Sequence, residues 1–167
     1  MSANAKSAAV ISSLTLQTLR ENFQEAGYRV EALTDPVANT EYLRSATAGV
    51  AFDIRPGNRL PGEGDSFADV ALVAVLQVQG DVPADLVNRW NASRRFGRLQ
   101  FSAPFLVFCL DVSVMNGVTP AHLRAQIELW DRLVQDLVPF LRTAFAEAAA
   151  KKPAAAATAD QASAAAA

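Results

Sequence analysis

The chain has 167 residues, 51% of them hydrophobic, which is enough for one domain with its own core and too few for two. The 15 Lys and Arg against 17 Asp and Glu leave a formal charge of −2, so no overall field draws the protein onto nucleic acid or an anionic membrane. A single cysteine, Cys109 in the apolar run FLVFCL, excludes an intramolecular disulfide, and no apolar stretch is long enough for a signal peptide or a bilayer span, so a cytoplasmic protein is expected.

Residues 1–12 carry no apolar period and are expected to form a flexible tail. Leu14, Leu16, Leu19 and Phe23 then recur at helical spacing, with Ser13 or Thr15 as N-cap and Gly27 just past the end. Tyr28, Val30 and Ala32 alternate with charged residues and predict a strand, a second is expected over Tyr42 to Thr47, and Val50, Phe52 and Ile54 alternate beyond a turn at Ala48-Gly49. The stretch PGNRLPGEGDS, with three glycines and two prolines, predicts a loop. From Ala68 to Val78 both faces are apolar, Val70, Leu72 and Ala74 on one and Ala71, Val73 and Val75 on the other, so this strand needs a cover on both sides.

A helix over Pro83 to Arg95 places Leu86 and Trp90 on one face, and Gly97 stops it before a strand at Arg98 to Phe101. Pro104 to Met115 repeats the double-faced pattern, with Leu106, Phe108 and Leu110 opposite Phe105, Val107 and Cys109. Thr119-Pro120 opens the last helix, whose stripe of Leu123, Ile127, Trp130, Val134, Leu137 and Leu141 runs to about Ala148 with an interruption or kink expected at Pro139. Pro153 and the alanines beyond offer nothing to bury, so residues 149–167 are expected to be a disordered tail around a domain of residues 13–148. The expected fold class is α+β with an antiparallel sheet, counted as α-β-β-β-α-β-β-α.

The chemistry-bearing residues point away from catalysis. PGNRLPGEGDS lacks the Lys-Ser/Thr ending of a phosphate loop, one His and one Cys cannot build a nitrogen and sulfur metal site, and Glu63, Asp65 and Asp69 lack calcium-loop spacing. Asp111, Ser113 and His122 are the right types for a nucleophilic triad, but no nucleophile elbow surrounds Ser113. No catalytic residue, cofactor or metal is expected. The one concentrated constellation is VNRWNASRRFGR, residues 87–98. Trp90 reads as a core anchor, while Asn88, Asn91, Arg94, Arg95 and Arg98 form a polar ridge that could contact a partner or hold an anion; only Phe96 is an aromatic suited to nucleic acid, too little for a nucleic-acid surface.

This stretch, followed by LDVSVMNGVTPAHLRAQIELWDRLV, resembles the YbjN-like family of bacterial sensory transduction regulators, and the likeness extends over roughly Leu14 to Phe145. The matching positions are Asn88, Trp90, Asn91, Arg95, Phe96, Gly97, Gly117 and Trp130. The resemblance implies a type III secretion chaperone-like fold that often dimerises and binds polypeptides without catalysis. The expectation is therefore a non-enzymatic regulatory or chaperone-like protein-interaction module, a homodimer with an unidentified protein partner. The alternative is a sensor of a small anionic ligand at Asn88, Asn91, Arg95 and Arg98. The two double-faced strands carry the dimer expectation: helices on one side of the sheet leave Val73, Val75, Val107 and Cys109 to be covered by a second copy, unless the last helix wraps over them.

Overall fold

A computed structural model of the chain describes residues 10–62 and 64–151. The order is α1 (Leu16–Glu25), β1 (Glu31–Thr34), β2 (Glu41–Thr47), β3 (Val50–Pro56), β4 (Asp69–Gln77), α2 (Leu86–Ser93), β5 (Arg98–Ser102), β6 (Phe105–Ser113) and α3 (Pro120–Lys151). The α+β class stands, with one antiparallel sheet of six strands in the order β1-β2-β3-β4-β6-β5. Four strands precede α2, one at or near each of the four stretches whose residues predicted a strand, so the count of three was one short.

α1 begins at Thr15, whose hydroxyl accepts from the Thr18 N–H while the Thr18 hydroxyl accepts from the Thr15 N–H. It ends before Gly27, at φ +94°. β1 starts at Glu31 and not at Tyr28, since the Tyr28 ring turns back onto Phe23 and Phe52 in edge-on contacts of 5.6 and 6.1 Å. α2 is shorter than Pro83 to Arg95 at both ends: Pro83 only accepts from the Leu86 N–H, and Arg94 is already extended. α3 runs through Pro139 without a break, and extends past Ala148. Pro139 and Gln135, four residues before it, are both exposed, so the carbonyl that loses its partner lies on the water side.

All three helices lie on one face of the sheet. Trp130 of α3 stacks on Phe108 at 5.3 Å and meets Phe52 edge-on at 5.4 Å; Trp90 of α2 meets Phe108 edge-on at 5.3 Å; Phe23 of α1 packs on Phe52. Leu43, Ile54, Leu72, Ala74, Leu99 and Leu110 complete this core between them. α3 therefore does not wrap the other side. At the chain's start Ile11 pairs with Val118, at 2.8 and 2.9 Å, which places the first described residues against the turn into α3. Most of the two expected tails, and Glu63 in the loop, fall outside the described residues.

Candidate functional site

The face of the sheet away from the helices is built from every second residue of β2 to β6. Val73 stands opposite Cys109, Val75 opposite Val107 and Ala71 opposite Asp111. Val75 is 52% exposed and Phe105, on the same face, 39%. Val73, Val75 and Val107 make the centre of this face, and the helices among the described residues pack on the opposite side.

Charged groups border the apolar rows on both sides. On β3, Asp53 stands opposite Val73 and Arg55 opposite Ala71, and on β2 Arg44 stands opposite Asp53. Asp53 is buried and accepts from Arg44 Nε at 2.7 Å and Arg55 Nη2 at 2.8 Å; Arg55 also reaches Asp35 at 3.3 Å and lies 4.2 Å over the Tyr42 ring. The Asp53 bond raises the Arg44 guanidinium above its usual range, and backbone N–H groups of Ala38 and Val37, with Arg55, hold the Asp35 carboxyl below its own. On the other border Arg98, opposite Cys109 on β5, pairs with Asp111 at 3.3 Å.

The Arg98 Nη2 atom also lies 3.2 Å from the Cys109 sulfur. Burial pushes the Cys109 thiol up, and Asp111 adds to this against Arg98. A thiol reagent at neutral pH is therefore expected to label Cys109 slowly in the native protein and at full rate in denaturant. Equal rates in the two states would contradict this placement.

The structure divides the VNRWNASRRFGR constellation. Asn91 spends its amide on β5: its Nδ2 donates to the Leu99 carbonyl at 2.9 Å and its Oδ1 accepts from the Leu99 N–H at 3.0 Å. The side chain thus occupies the edge of β5 as a neighbouring strand would. One residue earlier, Trp90 donates from Nε1 to the Gly97 carbonyl at 2.9 Å. The three bonds clamp the start of β5 to α2, and Gly97, at φ +73°, makes the turn between them. Asn91→Ala would strand both Leu99 backbone groups and is expected to cost about 1–3 kcal/mol in denaturant unfolding. An unchanged midpoint would show that water replaces the amide at no cost.

Arg94 reaches Asp136 on α3 at 3.6 Å and lies over the Trp90 ring. Asn91, Arg94, Arg95 and Arg98 do line one open cleft of about 500 Å³ with Phe96, which is 55% exposed. Asn88 lies outside it, and three of the four polar groups already have partners. Only Arg95 is uncommitted among them. Of the remaining matching positions, Trp130 is fully buried and Gly117, at φ +88°, turns the chain from β6 into α3. Sequence reasoning missed the Arg44, Asp53, Arg55 and Asp35 border; the alternation of charge with apolar residues in YLRSA and AFDIR was its one visible trace.

A larger cleft, about 710 Å³, opens between the Tyr28 segment and β2. The Ser45 hydroxyl on its wall is committed to the Arg29 carbonyl at 2.8 Å, and Thr47 donates to Asp131. Asp111, Ser113 and His122 make no hydrogen bond to one another; Ser113 instead accepts from the Met115 N–H. Among the described residues no group of three His, Cys, Asp or Glu side chains could hold a metal ion, and no helix is long and apolar enough to cross a membrane.

No curated protein and no solved structure matches the chain significantly. Residues 15–143, which hold the whole sheet and the clamp, match the YbjN family, described as "putative bacterial sensory transduction regulator", and the chain belongs to that family.

Proposed function

We propose that the chain is a non-enzymatic regulatory protein that acts in a chaperone-like way, by holding a polypeptide partner on the uncovered face of its sheet. The observation that carries this is the apolar patch of Val73, Val75, Val107 and Phe105 between two charged borders, with the helices among the described residues on the opposite side. An apolar centre with a polar rim is the anatomy of a protein interface, and an uncovered patch of this kind is uncommon on a chain that works alone. The family's description as a regulator agrees with a role exercised through binding.

The test is a photo-crosslinking residue at position 75, with position 142 on α3 as control, in cells of the source organism. Protein adducts are expected from position 75 and not from 142. No adduct at position 75, or equal adducts at both, would contradict the reading.

A further inference from the structure

We infer that the cleft of about 710 Å³ between the Tyr28 segment and β2 binds a free dipeptide in the strand position that β1 leaves empty, with its amine toward Asp131 and its carboxylate toward Arg29. The site stands apart from the Val75 patch and does not rest on the reading above.

The strand register carries this. Ala48 and Gly49, at φ +50° and +77°, form a two-residue turn closed by Thr47 and Val50. That closing pair exchanges its hydrogen bonds, so by alternation Ser45 and Leu43 also bond to β3, while Arg44 and Ala46 turn their N–H and C=O toward β1. The neighbouring hairpin agrees: the Asp35 N–H donates to the Thr40 carbonyl at 2.8 Å, which makes Tyr42 and Arg44 the bonded residues on that side. Beyond the pair of Glu31 and Arg44, the register would place Arg29 opposite Ala46. Instead Tyr28 turns into the aromatic cluster, and the Arg29 carbonyl accepts from the Ser45 hydroxyl at 2.8 Å. Ala46 therefore presents both main-chain groups to the cleft, and no described main-chain group bonds to them on that side.

The partner for one such residue is another whose own N–H and C=O point the same way. The second residue of a dipeptide has this form, since its amide N–H donates to the Ala46 carbonyl while its carboxylate accepts from the Ala46 N–H. Running antiparallel to β2, as β1 does, the dipeptide places its first residue beside Thr47, whose hydroxyl donates to Asp131. Gln135 also donates to Asp131, at 2.7 Å, and burial, then the Asp131 charge, raises the Tyr28 hydroxyl above its usual range. That wall thus holds a carboxylate which makes no ion pair among the described residues, and the ligand's ammonium supplies one. At the other end Arg44 is held by Asp53, whereas the exposed Arg29 makes no ion pair among the described residues. A dipeptide spans about 7 Å, at roughly 3.5 Å per residue, so both of its charges meet a wall, whereas a longer segment would carry chain past one end. The cleft's volume is ordinary for a small-ligand site and leaves room for both side chains.

Titration calorimetry of the full chain with L-alanyl-L-alanine tests this, because its small side chains leave recognition to the main chain and the termini. Saturable binding of one dipeptide per chain is expected, and the N-acetyl and C-terminal amide forms are each expected to bind at least tenfold more weakly. Asp131→Asn is expected to weaken the dipeptide at least tenfold and to leave the N-acetyl form unchanged, a pattern that general damage to the fold would not give. No binding at millimolar dipeptide overturns the proposal. So does an amide or N-acetyl form that binds as tightly as the free dipeptide, or an Asp131→Asn protein of wild-type affinity. If circular dichroism shows that Asp131→Asn fails to fold, Arg29→Gln, at an exposed position, decides: tenfold weaker binding of the dipeptide supports the site, and unchanged binding overturns it.

Discussion

Trp90→Ala is expected to destabilise the protein by about 3–5 kcal/mol, read as a shift in the urea midpoint without loss of slope. The ring is fully buried between Phe108 and Phe140, at 5.3 and 5.2 Å, so truncation removes two edge-on aromatic contacts and opens a cavity at the junction of α2, β6 and α3. It also frees the Gly97 carbonyl. Trp90→Phe isolates that second loss, because it keeps most of the ring and removes the donor. Trp130 provides the contrast: its Nε1 has no partner, so Trp130→Phe gives up packing area and no hydrogen bond. A Trp90→Ala protein of wild-type stability that had lost binding would make the ring a recognition group and contradict its place in the core.

Gly97→Ala is expected to cost about 2–4 kcal/mol, from left-handed strain and overpacking together. The residue sits at φ +73°, and a Cβ there would lie 2.5 and 2.8 Å from the Phe108 ring and 3.2 Å from Leu133. Phe108 cannot yield freely, being stacked on Trp130 and edge-on to Trp90. Gly27→Ala is the matched control, since Gly27 is also left-handed, at φ +94°, but a Cβ there meets nothing within 4 Å. The two variants share the backbone strain, so their difference measures the ring contact. Equal losses would show that Phe108 moves aside.

These two residues also show where sequence was informative. Leu86 and Trp90 four apart, and the long stripe from Leu123 to Leu141, specify which helix faces are buried because helical period is a local property of the chain. The double-faced strands were legible for the same reason: alternation alone shows that Val73, Val75 and Val107 lie opposite the core rows. The Asn91 clamp was not legible. It joins a side chain to a backbone eight residues away across a turn, and only the geometry shows that one amide meets both groups of Leu99. Arg94 with Asp136 and Arg98 with Asp111 escaped likewise, being pairs between separate elements; without them the arginines look free for an anion. β1 was misplaced because the alternation in YRVEA has strand period, while Tyr28 is drawn into the aromatic cluster with Phe23 and Phe52.

The claim that the uncovered sheet face is the contact surface is tested most directly by valine-methyl NMR of the full chain, followed as the protein is concentrated and as extract of the source cell is added. Val73, Val75 and Val107 methyl signals are expected to shift or broaden, while Val70, Val112 and Val134, buried in the core on the helix side, stay in place. Shifts confined to Val87, in α2 beside the arginine cluster, with the three sheet-face valines unmoved, would contradict the account.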